Sequence, residues 1–253
     1  MEKITTTKGY EFVEKGHKHL WNGVRMSGVT TILGVIAKPF LYKWYSDMAV
    51  DYIKDNLKRD DLITQTDFDL VLEEARKAGF TKRDDAGQKG TDVHAIIESI
   101  IKVAIQTNQP LNGGDSPIPQ VKHFINWATT NKVKFLESEK KVWSEKLFCA
   151  GICDFVCEIN GEKLVGDIKT GSGIYPEHFY QVAAYRLFLE EMGEQDFKGS
   201  VIVNLKKDGK FNEDEDVIIS YGYEEEKEAF LSAHKLYRIT NNFKTKNKYS
   251  KAL

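Results

Sequence analysis

The chain has 253 residues, of which 41% are hydrophobic and 29% charged, close to the composition of an ordinary folded protein. These values exclude a largely disordered chain, a collagen-like repeat and a disulfide-stapled miniprotein, and the length suits one large domain or two small ones. The formal net charge of −2, from 36 basic and 38 acidic residues, gives no sign of a nucleic-acid partner for the chain as a whole.

Nothing in the sequence predicts export or membrane insertion. It contains no run of about 18 apolar residues, which a transmembrane helix would need, and its first residues, MEKITTTKGYEF, lack the apolar stretch of a secretory signal. The odd count of three cysteines fits reduced thiols in the cytosol better than a disulfide framework. We therefore expect a cytoplasmic protein with no membrane partner.

The carboxyl end carries concentrated positive charge. After Glu228 the sequence has six lysine or arginine residues and no acidic residue, which leaves a net charge of −8 on the rest of the chain. Three aromatic residues are interleaved with these cations, a composition suited to binding phosphates and stacking on bases. We predict DNA contacts from Lys244, Lys246 and Lys248; the alternative is a solvated, frayed terminus.

In its first half the chain is mostly helical by pattern. Residues 9–26 predict a short hairpin with a turn at Asn22-Gly23. Residues 28–56 have apolar positions at helical spacing, and Lys38-Pro39 is expected to divide them into two helices. Two further amphipathic helices are predicted over 66–79 and 91–106.

The second half alternates between strand and helix patterns. A loop over 112–119 precedes a helix, and the hydrophobic period then changes to two from about 133 to 169. A helix over 177–192, strands over 199–205 and 216–222, and a last helix over 224–237 follow. This order predicts an α/β or α+β layered domain with a mixed sheet.

Residues 150–171, AGICDFVCEINGEKLVGDIKTG, predict a β-hairpin. Asn160-Gly161 lies between two strand-like runs and is typical of a two-residue turn, which fixes the pairing of the strands. In that register Asp154 lies directly opposite Asp167. Side chains alternate along each strand, so we expect one apolar face and one charged face that carries both aspartates.

Two facing aspartates require compensation, because like charges directly opposite each other destabilise a sheet. Carboxylate oxygens a few Å apart are the ligands that hard divalent cations prefer. Lys169 shares the face of Asp167, two residues further on, where its ammonium group can contact a phosphate or an attacking water. The pattern predicts a site for a metal ion and a phosphodiester; the alternative is a solvated strand face with scattered charges.

Four short motifs resemble those of the PD-(D/E)XK nuclease superfamily, in particular its RecB-like exonuclease branch. In chain order they are KGTDVHAIIE with His94, GICD ending at Asp154, DIK from Asp167 to Lys169, and QVAAY from Gln181 to Tyr185. The segment SGVTTIL, residues 27–33, also resembles the amino-terminal part of phage-type members.

The resemblance implies a restriction-endonuclease-like fold, a mixed sheet flanked by helices with an αβββαβ core. It implies that Asp154, Asp167 and the backbone carbonyl of Ile168 are metal ligands, with His94 as an additional ligand. It further implies that Lys169 orients or activates the attacking water.

The remaining roles are also carried over from the resemblance. Gln181 and Tyr185 would contact DNA or hold the active-site lysine. Glu139 or Glu137 would be the acidic residue of the preceding strand, and the choice between them stays open.

Magnesium is the expected cofactor, with manganese able to replace it, because oxygen ligands dominate. Some relatives carry a four-cysteine iron–sulfur cluster. This chain has three cysteines, and strict alternation would put Cys153 and Cys157 on the apolar face as small hydrophobic residues. We expect no cluster.

We predict a metal-dependent DNA exonuclease of phage or bacterial origin, acting in DNA processing, recombination or repair. It would be a single nuclease domain with a hairpin and helical extension over 1–80, a core over 81–240 and a basic tail over 241–253. The alternatives are a structure-selective endonuclease, a non-catalytic DNA-binding accessory module and a phosphohydrolase of small phosphates. Strand preference, polarity, the number of metals, the oligomeric state and a recombination or replication partner stay open.

Overall fold

A computed structural model describes residues 4–7, 9–57, 64–111 and 116–250, with side chains described except at 4–7, 86–89, 91 and 242–250. The strands are β1 (Ile4–Thr7), β2 (Tyr10–Val13), β3 (Lys18–Trp21), β4 (Val24–Arg25), β5 (Ser27–Gly28), β6 (Lys134–Ser144), β7 (Cys149–Ile159), β8 (Glu162–Lys169), β9 (Phe197–Asn204) and β10 (Val217–Ser220). The helices are α1 (Val29–Leu33), α2 (Phe40–Asn56), α3 (Gln65–Thr107), α4 (Pro119–Thr130), α5 (Pro176–Glu191), α6 (Glu213–Asp216) and α7 (Tyr223–Ser250).

The chain divides into two compact units. One comprises Met1–Ile36 and Val93–Leu253, and the other comprises Ala37–Asp92. The first four strands belong to the same unit as the main sheet. Within the smaller unit, the ring of Tyr45 packs against Phe80 at 4.9 Å.

The amino-terminal strands β1 to β4 form an antiparallel sheet of their own. The predicted turn at Asn22-Gly23 is confirmed, with φ of 47° and 77°. Tyr10 anchors this sheet, because its hydroxyl contacts His19 Nδ1 at 2.6 Å and its ring stacks on Trp143 of β6 at 4.2 Å. The hairpin is therefore attached to the main sheet by the stacking of buried Tyr10 on partly buried Trp143.

The main sheet is mixed, as predicted, with the strand order β10-β9-β8-β7-β5 and with β6 also paired to β7. Strands β6, β7 and β8 form an antiparallel meander, whereas β9 lies parallel to β8 and β5 lies parallel to β7. From α4 to β9 the elements follow the order αβββαβ. The coarse prediction of mixed α and β structure is confirmed.

Both faces of this sheet are covered by helices. A first apolar cluster packs α3 and α4 on one face and includes Phe155, Cys157 and Leu164. A second packs α1, α5 and α7 on the other face and includes Val156 and Val165, both fully buried. The sequence predicted a charged second face along the hairpin. This was wrong, because helices from distant parts of the chain cover that face.

Strand β7 changes the phase of its alternation at Asp154. Before it, Cys149 and Cys153 pack in the cluster beneath α5. After it, Val156 packs on that same side while Phe155 packs on the opposite one. The side chains that face α5 are thus odd-numbered before Asp154 and even-numbered after it.

The pairing of β7 is interrupted at the same place. Strand β6 covers one edge of β7 from Cys149 to Glu158, so β5 and β8 share the other edge. On that edge β5 pairs with residues 149–150 and β8 with residues 155–159. Within the described part of the chain, residues 151–154 therefore have no strand partner there.

Two helix predictions are confirmed in part. The division at Lys38-Pro39 is correct, since α1 ends at Leu33 and α2 begins at Phe40. The two helices predicted over 66–79 and 91–106 are one helix, α3, of 43 residues. The intervening charged residues interrupt the apolar stripe, but they are compatible with helical backbone.

Candidate active site

The turn at Asn160-Gly161 sets the geometry of the site. These residues have φ of 52° and 81°, the left-handed values that a two-residue hairpin turn requires. The β7–β8 ladder runs from the turn to the pair Phe155–Gly166, which confirms the predicted register. Continued by one residue, that register places Asp154 opposite Asp167, just beyond the ladder.

Asp154 binds the neighbouring strand with its side chain instead of its backbone. Its Oδ2 accepts a hydrogen bond from the backbone N–H of Ile168 at 2.7 Å. Nδ1 of His94, on α3, lies 3.6 Å from the same oxygen. The side chain of Asp154 is 15% exposed, so a ligand from solvent can still reach it.

Gln181 joins the residues of β8 to helix α5. Its Nε2 donates to Asp167 Oδ1 at 3.1 Å and to the Tyr185 hydroxyl at 2.8 Å. Its Oε1 accepts from Lys169 Nζ at 3.0 Å. Lys169 also forms an ion pair with Asp167 Oδ2 at 2.5 Å. One amide therefore fixes a carboxylate and an ammonium group relative to each other.

Tyr185 reaches this position because Gly151 has no side chain. Gln181 and Tyr185 lie one helical turn apart, so both face the sheet. A Cβ at position 151 would lie 2.5 Å from Cε1 of the Tyr185 ring. Gly151 had no predicted role beyond its place in the GICD motif; a glycine inside a strand is the signal that indicates such a close approach.

The two candidate acidic residues of β6 lie in different surroundings. Glu137 accepts a hydrogen bond from Lys140 at 2.8 Å, and Lys140 also pairs with Glu194 at 2.5 Å. Ser138 and Lys140 pair with Phe155 and Cys153, so Glu139 lies in register opposite Asp154. The geometry therefore groups Glu139 with the site and Glu137 with a separate ion-pair network.

Burial and neighbouring acidic side chains shift the pKa values of the groups around Asp154. Burial raises the pKa of Asp154 well above its ordinary value, and the nearby Asp167 raises it further. Burial also raises the pKa of Glu139, and the neighbouring Glu98 adds to that shift. Burial lowers the pKa of His94, with Asp167 opposing, so the imidazole is neutral near neutral pH.

This donor set fits a divalent cation. Two carboxylates face each other, with Asp167 buried and Asp154 15% exposed. Asp167 Oδ2 is a buried oxygen that makes no hydrogen bond and has the Lys169 ammonium as its charged neighbour. Carboxylate oxygens of this kind are the ligands of magnesium and manganese. Among the described residues, no three His, Cys, Asp or Glu side chains gather into a closed ligand cluster.

The cysteines lie on different sides of the sheet. All three are buried, with Cys153 in the cluster beneath α5 and Cys157 in the cluster beneath α3 and α4. The prediction that both lie on one apolar face was wrong, because the alternation changes phase between them. Burial raises the pKa of Cys149 to about 12, so this thiol stays protonated.

The predicted DNA contacts at Lys244, Lys246 and Lys248 fall on side chains outside the described part of the structure. Their backbone lies within α7, which extends the last helix predicted from the sequence. In the chain as far as it is described, none of the helices combines the length and the apolar character needed to cross a bilayer.

Comparison of the sequence with protein-family models gave no match, and comparison with curated proteins gave none. The function proposed below is therefore supported by the geometry of the site and by the resemblance of the short motifs.

Proposed function

We propose that this protein is a metal-dependent deoxyribonuclease of the PD-(D/E)XK type, acting as an exonuclease in phage or bacterial DNA processing. The observation that carries the proposal is the hydrogen-bonded unit of Asp167, Lys169 and Gln181 beside Asp154. These residues come from three separate motifs of the resemblance. The element order αβββαβ is also that of the superfamily.

Magnesium or manganese is the cofactor that these residues suit. Asp154, Asp167 and the backbone carbonyl of Ile168 would hold it, with His94 as an additional ligand. When bound, such a cation neutralises charge on a phosphate and lowers the pKa of a coordinated water.

The chain's own groups position the reactants. The side chain of Lys169 is 19% exposed, so its ammonium group can contact a phosphate oxygen or a water from solvent. Gln181 accepts a hydrogen bond from that ammonium group and Asp167 forms an ion pair with it, so both fix its position. Such a preoriented positive charge stabilises the negative charge that develops on a phosphate during hydrolysis.

DNA is the substrate that best suits the charge distribution. The basic, aromatic carboxyl end predicted from the sequence suits a polymer better than a small phosphate. Because α5 and α7 cover the face of the hairpin at Val156 and Val165, DNA would approach at the end of the ladder, where Asp154 lies.

Cleavage of end-labelled linear DNA and of covalently closed circles tests the proposal. Wild-type protein and Asp154→Asn are purified identically and assayed with Mg²⁺, with Mn²⁺ and with EDTA. We expect nucleotides or short oligonucleotides from linear DNA only, with either metal, and no products from the variant. The variant serves as the control for contaminating nucleases.

The other outcomes distinguish the alternatives. Cutting of circles indicates an endonuclease with the same site. Tight DNA binding without cleavage in either metal indicates a non-catalytic accessory module. Hydrolysis of small phosphate esters alone indicates a phosphohydrolase, and each of these results overturns the exonuclease assignment.

A further inference from the structure

We propose that Lys141 is a positioning residue: it holds the backbone of Glu139 in a left-handed conformation and ties it to the amino-terminal hairpin. The proposal rests on the proposed function, because it gives Glu139 a part in DNA cleavage.

Glu139 has an unusual conformation for a residue inside a strand. Its φ is 50°, in the left-handed region that residues with a side chain rarely adopt. Strand β6 pairs with β7 on both sides of it, at Ser138 and at Lys140. Such a conformation persists only where its surroundings enforce it.

Lys141 supplies a contact that suits this conformation. Its Nζ donates a hydrogen bond to the backbone carbonyl oxygen of Glu139 at 3.0 Å, two residues back along the same strand. A charged donor makes a stronger hydrogen bond than a neutral one. Lys140, the residue between them, instead pairs with Glu137 and Glu194.

The ammonium group of Lys141 also contacts the amino-terminal hairpin. It lies 5.4 Å from the centre of the Phe12 ring, within the range of a cation–π interaction. Phe12 is buried and packs against His19 at 5.1 Å. Burial, with smaller contributions from His17 and Lys141, lowers the pKa of His19 to about 4, so its imidazole is neutral beside the ammonium group.

The hairpin is thus connected to the candidate active site through the contacts of Lys141. Phe12 lies in β2 together with Tyr10 and pairs with His19 of β3, and Tyr10 stacks on Trp143 of β6. Lys141 connects these aromatic side chains to Glu139, which lies in register with Asp154. Loss of the Lys141 ammonium would leave the left-handed backbone of Glu139 without its donor.

Lys141→Met is the test variant, and Lys140→Met is its matched control. Both remove one positive charge from adjacent positions of β6 and keep an unbranched side chain. We expect Lys141→Met to lower kcat for DNA cleavage by about 10- to 100-fold, the usual effect of a misplaced catalytic group. KM for DNA should stay close to wild type and the thermal midpoint should fall by no more than a few degrees, and Lys140→Met should keep its kcat.

A double-mutant cycle separates positioning of Glu139 from any other role. In a Glu139→Gln background, Lys141→Met should change kcat little further, because the group that it positions is already lost. Lys141→Arg keeps a charged donor and should recover most of the activity. Independent effects of the two substitutions, or an effect on KM alone, would overturn the proposal.

Hydrogen exchange of the backbone over 138–141 gives a measurement that needs no activity. We expect faster exchange in Lys141→Met than in Lys140→Met. Equal exchange in the two variants would overturn the link to Glu139 even if the wild type cleaves DNA. Conversely, absence of cleavage by the wild type with faster exchange in Lys141→Met would refute the nuclease assignment and leave the structural link intact.

Discussion

The ring of Tyr185 occupies the space in which any residue other than glycine at position 151 would place its Cβ. Gly151→Ala should therefore push the ring away and destabilise the protein by about 1–3 kcal/mol, the usual cost of overpacking a core. Denaturant unfolding measures this. Gly171→Ala is the control, since its Cβ would come no closer than 3.8 Å to the nearest described atom, the Gly173 carbonyl oxygen. Equal midpoints for the two variants would contradict the prediction.

Asp154→Asn should abolish cleavage without loss of stability at neutral pH. The raised pKa of Asp154, due to burial and then to Asp167, means that its charged form is disfavoured in the folded state. Its contribution to stability therefore falls as pH rises above the ordinary value of about 3.9 towards the raised value. The asparagine variant lacks this loss and can still accept the hydrogen bond from Ile168.

Urea unfolding of both proteins between pH 4 and 7 checks this sign. The variant should be as stable as the wild type or more stable at pH 7, and the difference should shrink as the pH falls. A wild type that becomes relatively more stable towards pH 7 would show that Asp154 is stabilised as a carboxylate.

Asp167→Asn should also abolish cleavage, but its effect on stability should be opposite. Repulsion between facing aspartates would alone predict stabilisation by either substitution. Asp167, however, pairs with Lys169 at 2.5 Å and accepts from Gln181 at 3.1 Å. Its removal leaves Lys169 without its ion-pair partner, at a cost of about 1–3 kcal/mol. Unfolding at pH 7 beside Asp154→Asn measures the contrast, and equal stabilities would refute it.

Lys169→Ala should lower the cleavage rate by about two to four orders of magnitude and leave metal affinity nearly unchanged. The lysine supplies a positive charge beside Asp167 and is not a metal ligand. Calorimetric titration of Mn²⁺ into the variant measures affinity directly. If the variant no longer binds the metal, the division of roles between the aspartates and the lysine is wrong.

Deletion of residues 240–253 should weaken DNA binding and make it less sensitive to salt. The deletion removes four of the six cations that follow Glu228. If all four contact duplex phosphates, the log–log dependence of binding on salt should decrease in slope by up to about 3.6. Binding titrations in Ca²⁺, which suppresses cleavage, at several salt concentrations measure this. An unchanged slope means that the tail does not contact DNA.

Local signals in the sequence predicted the central hairpin correctly. A two-residue turn at Asn160-Gly161 fixes the register by its own geometry, so the juxtaposition of Asp154 and Asp167 needs no knowledge of the rest of the fold. The motif spacing likewise placed Gln181 and Tyr185 on one helical face, and the structure brings that face against β8.

Long-range packing could not be predicted in this way. Val156 and Val165 are buried by helices far away in the chain, so alternation alone suggested an open charged face. Strict alternation also gave Cys153 the wrong side, because the change of phase at Asp154 has no local signature. The roles of Gly151 and Lys141 depend on partners 34 and 129 residues away, Tyr185 and Phe12.

In a strand with strict alternation, each side chain points to one face of the sheet or the other. Here both faces are covered by apolar clusters, so either orientation would bury the side chain among apolar groups. The change of phase in β7 gives Asp154 a third orientation. Asp154 lies between the part of β7 that pairs with β5 and the part that pairs with β8. A carboxylate at that point packs in neither apolar cluster, yet its backbone is part of a central strand. The irregularity thus leaves Asp154 15% exposed in the middle of a sheet whose two faces are covered by helices.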